Sequence, residues 1–273
     1  MASAAAALRR WAPLALGTLL SLGCAAPSNY RDWSPELAVL PDAQWHEHQA
    51  TVHNIRDCSY YLADDQVVVK HYDKTFDLDK LQSVDFIVVP FAGMPWLAHT
   101  MLSFDFGGVD RLAVSAEVRL KRGESYHLLP GFLHAYELTY VVGDERDMVK
   151  VRTQYRNVDV YIYPTVATPD QSRALFADVF ARVNHLAEHP EFYDTLTNNC
   201  TTNVARHINH LKSREIPPYD LRVLLPGYSD RLAYDLGLIR HFGSFDQTRE
   251  RAHVNTLAAA YRDDPQFSEK IRR

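Results

Sequence analysis

The run from Arg111 to Lys121 constrains this fold more than any other segment, because it alternates without a break. Leu112, Val114, Ala116, Val118 and Leu120 fall on one face, and Ala113, Ser115, Glu117 and Arg119 on the other, the period-two pattern of a half-buried strand. It follows the strand-like Leu97 to Phe106 across Gly107-Gly108, so the two read as a hairpin. For the apolar faces to coincide, Phe104 lies opposite Leu112 and Leu102 opposite Val114, and the same register puts His99 across from Glu117. A slip of one residue would bury Glu117, so the register is strongly specified.

A carboxylate facing an imidazole can orient the ring and stabilise its protonated form, the part of the third member of a nucleophile, base and orienter set. A lone strand histidine in a chain holding 13 is more commonly structural, but opposed to Glu117 His99 is the best candidate base. Its candidate nucleophile is Cys200. In Leu196-Thr197-Asn198-Asn199-Cys200-Thr201-Thr202-Asn203, polar capping residues place this cysteine where a loop becomes a helix. The positive end of the helix dipole and the unpaired N–H groups there can lower a thiol pKa from about 8.5 towards roughly 3.5 to 7.5. Such a cysteine is either a thiolate nucleophile or a small apolar side chain tucked under a helix, and reach to His99 decides between them. Asn199 is a candidate oxyanion donor alongside the Cys200 N–H, with helix capping as its alternative role. Arg119 shares the Glu117 face, where it either salt-bridges Glu117 or meets an anionic headgroup. Tyr126 is a candidate substrate-binding aromatic. Arg56 and Arg152 read as ion-pair partners of nearby acids, and Cys58 as buried filler.

Seven segments in order, Asn54 to Asp57, Phe76 to Leu81, Ala98 to Phe104, Glu117 to Arg119, Gly123 to Tyr126, Tyr140 to Asp147 and Asn198 to Asn203, resemble the bacterial family named for the Lnb N-terminal periplasmic domain. The resemblance runs from about Asp42 to about Leu238. Lnb is a lipoprotein N-acyltransferase, which moves an acyl chain from phospholipid to the amino-terminal cysteine of a lipoprotein. The order His, polar residue on the next strand, Asn-Cys opening a helix is also similar to the permuted papain-like thiol enzymes. The resemblance therefore implies Cys200 as nucleophile, His99 as base and, by analogy, Glu117 as third member, with phospholipid as acyl donor.

The N-terminus directs export. Arg9 and Arg10 precede an apolar stretch, Trp11 to Gly23, of the length of a secretory signal. Ser21-Leu22-Gly23-Cys24 resembles a lipobox, so Cys24 is the expected lipidation site, and Ala25 beside it is similar to outer-membrane sorting signals. A periplasm-facing, lipid-anchored protein follows. After Cys24 no stretch is apolar enough to span a bilayer. No zinc spacing occurs, no cofactor motif is present, and a net charge of -5 argues against nucleic-acid binding.

Roughly 250 residues after Cys24 suffice for one sizeable core. Expected are residues 1–24 as signal and lipobox, 25–41 as linker, 42–240 as catalytic domain and 241–273 as a C-terminal helical extension. A short helix is expected over Asp42 to Gln49, then strands at Val52 to Tyr61, Val67 to Tyr72, Phe86 to Phe91, Ala98 to Phe106, Leu112 to Arg122, Tyr136 to Val142 and Val158 to Tyr163. Helical period takes over at Asp170 to Glu188, Cys200 to Leu211, Tyr228 to Leu238 and Thr248 to Arg262. This is an α+β pattern, an antiparallel sheet with helices packed on one side, and the resemblance makes it permuted papain-like.

Three functions follow as expectations. The first is a membrane-associated cysteine acyltransferase passing an acyl chain from phospholipid through a thioester to a lipoprotein amine or to water. The second is a cysteine amidase or peptidase acting on cell-wall peptides, and the third an inactive lipoprotein binding module at a membrane surface.

Overall fold

The computed structural model describes residues 26–61, 66–108, 110–211, 215–217 and 219–272. Cys24 and the export segment lie outside them. The described residues form ten strands: β1 (Asp42–His46), β2 (Gln49–Arg56), β3 (Ser59–Tyr61), β4 (Gln66–Val68), β5 (His71–Asp77), β6 (Ser83–Phe91), β7 (Met94–Asp105), β8 (Arg111–Arg119), β9 (Glu137–Asp144) and β10 (Tyr161–Pro164). The helices are α1 (Leu128–Phe132), α2 (Glu145–Lys150) running into a π turn (Val151–Tyr155), α3 (Pro169–Glu188), α4 (Cys200–His210), α5 (Leu221–Leu224), α6 (Ser229–Asp235), α7 (Phe245–Ala252), α8 (Asn255–Ala260) and α9 (Phe267–Lys270). The fold is α+β: one sheet in the order β1-β2-β9-β8-β7-β6-β10, with β5 also on β2 and β3 paired to β4 apart from it. Among the described residues pairing is antiparallel except for one parallel bridge, Arg56 to Gly143.

Four expectations are corrected. Asp42 to Gln49 is not helical but a β-hairpin, Asp42 opposite His53 through His46 opposite Gln49. Its apolar residues alternate rather than recur every three or four, and Trp45 packs edge-on against Phe176 at 5.9 Å. The strand expected over Val52 to Tyr61 breaks at Asp57-Cys58, where the Cys58 N–H donates to the buried Asp147 carboxylate at 2.9 Å. The helix expected over Thr248 to Arg262 is two, interrupted where His253 bridges Tyr161. Finally, helices cover both sheet faces. The long α3 and α4 lie on the face of Leu102, Phe104, Leu112 and Val114, as the one-sided expectation has it. The opposite face, Ile87, Val89, Met101, Ala113 and Val141, is also apolar and is closed by Met148 and Val149 of α2, Ala258 of α8 and Phe267 of α9. Central strands buried on both faces read as continuous apolar runs, and Phe86-Ile87-Val88-Val89 is one.

Residues 241–273 are therefore part of the core, not an appendage. Arg272 joins Asp85 and Glu145, each at 2.8 Å, beneath this second layer. Trp33 and Leu37, in the segment expected as a linker, are buried as well. Glu145 is fully buried, and although burial favours its neutral form the Arg272 guanidinium holds its pKa below the usual carboxylate range. Arg272→Ala strands two buried carboxylates with Arg111 as the nearest remaining cation. We expect a loss of about 3 kcal/mol or more, read as a lower urea midpoint at unchanged slope.

Candidate active site

The sheet splits in its middle. β7 and β8 pair from Asp105–Arg111 to Leu102–Val114, the register expected from the alternation, and then separate. Each remains tied on its outer side, β7 to β6 as far as Pro90–Ala98 and β8 to β9 as far as Arg119–Glu137. Into the fork project three side chains of one sheet face: His99 from β7, Ser115 and Glu117 from β8. His99 Nε2 lies 3.4 Å from Glu117 Oε1 and is hydrogen-bonded to the Ser115 hydroxyl. The pairing of His99 with Glu117 is thus present, at a point where the ladder itself has ended.

Helix α4 starts at the fork from the other face. Thr201 Oγ1 is 3.1 Å from Thr100 Oγ1 of β7, and Cys200 Sγ is 3.9 Å from the Ala98 carbonyl. Its start is fixed by a reciprocal cap: Asn199 Oδ1 accepts from the Thr202 N–H at 2.9 Å, and the Thr202 hydroxyl accepts from the Asn199 N–H at 2.9 Å. The Cys200 thiol and the His99 ring act on each other, each favouring the charged form of the other.

Electrostatics favour the ionised forms. Burial disfavours a Cys200 thiolate, but His99, together with the N–H and hydroxyl of Thr100, outweighs it and brings the pKa down to about 7. Burial likewise disfavours charge on His99, yet the thiolate and Glu117 raise its pKa above the usual imidazole value. Glu117 is desolvated but sits against His99, Arg152 and Arg56, and its pKa falls well below the ordinary carboxylate range. Its ion pair with Arg152 is 3.0 Å long. The other cysteine behaves oppositely: burial and Asp147 push the Cys58 thiol up to about 11.

Two expected site residues lie elsewhere in function. Arg119 is 1% exposed and does not reach the cleft. Its guanidinium donates to the carbonyls of Leu37 and Ala38 and to Asn29, and stacks over Trp33 at 4.3 Å, so it anchors the N-terminal segment. Its neighbour across the ladder is Glu137, and Arg152 takes the place beside Glu117 instead. Asn199 serves as the helix cap, its Nδ2 donating to the Thr195 carbonyl at 2.6 Å, and its side chain is committed there rather than to an oxyanion. Tyr126 does line the cleft, beside Tyr136 and Tyr193. Arg56 pairs with Asp147 at 2.9 Å. Ser115 was not singled out, although its position two residues before Glu117 on the same face is the signal that places it at His99. Arg152 had no such signal, because a π turn carries it in.

The fork opens into a cleft of about 660 Å³. Cys200, His99, Glu117 and Arg152 lie at its base, and Phe91, Trp96, Leu97, Phe132 and Leu225 supply much of its wall. Among the described residues no group of three His, Cys, Asp or Glu side chains could hold a metal ion, and no helix is long and apolar enough to cross a membrane.

A thiol, an imidazole and a carboxylate are thus gathered at a split in the sheet of this α+β domain. The model of the Lnb N-terminal periplasmic domain matches residues 69–227, more than half of the chain, and the protein belongs to that family. The match runs from β5 to the turn after α5, so it contains Cys200, His99 and Glu117 and makes this a periplasm-facing domain. No curated protein and no solved structure matches the chain.

If Glu117 sustains the charge of His99, Glu117→Gln lowers the pH at which the His99 ring titrates, because the amide keeps the shape but not the charge. Nitrogen NMR of histidine-labelled protein reads this directly; an unchanged midpoint would show that Glu117 does not act on the ring.

Proposed function

We propose that the protein is a cysteine acyltransferase that draws an acyl chain from phospholipid through a Cys200 thioester and passes it to a lipoprotein amine or to water. The observation that carries this reading is a low-pKa thiol paired with His99 at the base of a cleft walled by apolar side chains. Those apolar walls suit a hydrocarbon chain, and the charged groups Arg56, Arg152 and Arg156 that also line the cleft suit a phosphate headgroup. The order along the chain, base on β7, carboxylate on β8 and thiol at the start of α4, supports the permuted papain-like relationship.

In the first step the Cys200 thiolate attacks the ester carbonyl, forming a C–S bond. Oxygen charge develops beside the N–H groups that open α4, where the positive end of the helix dipole favours it. The C–O bond then breaks, and the imidazolium of His99 gives its proton to the departing lysophospholipid oxygen. In the second step an amine or water attacks the thioester, His99 accepts its proton, the C–S bond breaks and the thiolate returns. Glu117 holds the ring and its charge throughout, with Ser115 and Arg152 holding Glu117 and the ring in register. Lipidation at Cys24, two residues before the first described residue, would keep the domain at the outer membrane.

Incubation with phospholipid vesicles should add the mass of one acyl chain to the Cys200 peptide, removable by hydroxylamine, and release lysophospholipid. Cys200→Ser should carry no adduct, and His99→Ala should lose turnover nearly as completely, by about a thousandfold or more, since the two act as one unit. Folded wild-type protein that forms neither adduct nor lysophospholipid would refute the acyl-transfer reading.

A further inference from the structure

The mouth of the cleft carries an unusual share of the exposed apolar side chains. Trp96, Phe132, Leu196 and Leu225 line the opening and are still exposed. Outside them Leu129 and Leu133 are 70% and 71% exposed on either side of Phe132, and Leu221 and Tyr228 are 69% and 49% exposed around Leu225. Eight large apolar residues of four chain segments thus surround one opening. Burying them there is denied by the fold, and leaving so many together in water is costly unless something covers them.

The four segments are fastened into one surface. The Thr195 N–H donates to the Gly131 carbonyl at 3.3 Å, joining α1 to the loop before α4. Gly227 lies so close to the backbone of Pro95 and Trp96 that a Cβ has no room, which locks the turn after α5 to the β6–β7 hairpin. Charge separates this surface from the rest of the molecule. The chain holds 34 acidic residues, yet 91–97, 127–134, 195–199 and 221–228 contain none, and their only Lys or Arg, Arg222, is paired with Asp220 and Asp235.

We propose that this rim docks on the surface of a phospholipid bilayer, with Leu129, Leu133 and Leu221 entering the acyl boundary so that a lipid chain passes to Cys200 without crossing water. This rests on the acyl-transfer reading of the cleft. Two observations favour a bilayer over another occupant. An apolar ring with Trp96 and Tyr228 at its edge, whose flanking acids Asp194 and Asp220 are paired with His134 and Arg222, is compatible with a surface of phosphate headgroups over hydrocarbon. The described chain also enters the fold at this end, so a lipid on Cys24 would be tethered near the rim: the Ala26 carbonyl accepts from Arg31, which pairs with Glu137 at the open end of the β8–β9 ladder, the end that carries Glu117.

The test uses the full chain and vesicles of phosphatidylethanolamine and phosphatidylglycerol. Hydrogen exchange should slow in 127–134 and 221–228 when vesicles are added, and Leu129→Glu/Leu133→Glu should abolish that protection. The same double variant, and separately Leu221→Glu, should cut turnover of vesicle phospholipid roughly tenfold or more while turnover of a soluble short-chain ester is retained, since none of these side chains lines the cleft. Exchange in the rim unchanged by vesicles overturns the proposal, whether or not any ester is cleaved. Rim protection that rises with protein concentration alone also overturns it, by assigning the surface to a second copy. Protection without turnover of either substrate leaves the docking surface standing and removes the acyl-transfer reading.

Discussion

The interrupted ladder between β7 and β8 is the constraint on which the site depends. Four residue pairs, Asp105–Arg111 to Leu102–Val114, fix which face each later residue occupies, and beyond them the strands diverge while β6 and β9 hold each one straight. The divergence lets a helix start approach from one face and meet side chains belonging to the other. Had the pairing continued, His99 and Glu117 would face each other across a closed sheet, out of reach of any helix on the Cys200 side. A one-residue slip would turn both into the opposite layer among Leu102, Phe104 and Leu112, so the core specifies the site through register.

Charge at the base of the cleft is arranged in a chain. Arg152, itself desolvated, pairs with Glu117; Glu117 faces His99; His99 faces Cys200. Each buried charge has an opposite neighbour, which is what allows ionised groups to persist out of water. The two free cysteines among the described residues show how far environment decides chemistry. Cys58, beside the carboxylate of Asp147, is a thiol held up to about 11, whereas Cys200, beside an imidazole and a helix start, is brought down to about 7. A thiolate is the reactive form of cysteine, and only the second environment favours it.

Much of the site was legible because it rests on short-range rules. Alternation from Leu112 to Leu120 gave the hairpin register, and Asn199 with Thr202 marked the helix start that carries Cys200. What was not legible depends on tertiary partners. Arg119 has the same spacing from Glu117 as Ser115, and only the packing of Trp33, Leu37 and Asn29 over it turns it into an anchor. Arg152 arrives by a π turn that leaves no periodic trace. The helices of the second face are short, and the run Asn255 to Ala260 shows its role only against Ile87 and Met101. The alternation in the hairpin at Asp42 to Gln49 rests on Ala43 and Trp45 alone, too short a pattern to read, and Trp45 needs Phe176 to declare its side.

The central claim is that His99 makes Cys200 a thiolate near neutral pH. Alkylation of the Cys200 peptide by iodoacetamide, followed by mass spectrometry across pH, measures this without any assumption about substrate. The rate should rise with a midpoint within about one unit of 7, and in His99→Ala that midpoint should move up towards the ordinary thiol value of about 8.5. A wild-type midpoint at the ordinary thiol value, unmoved by loss of His99, would contradict the account.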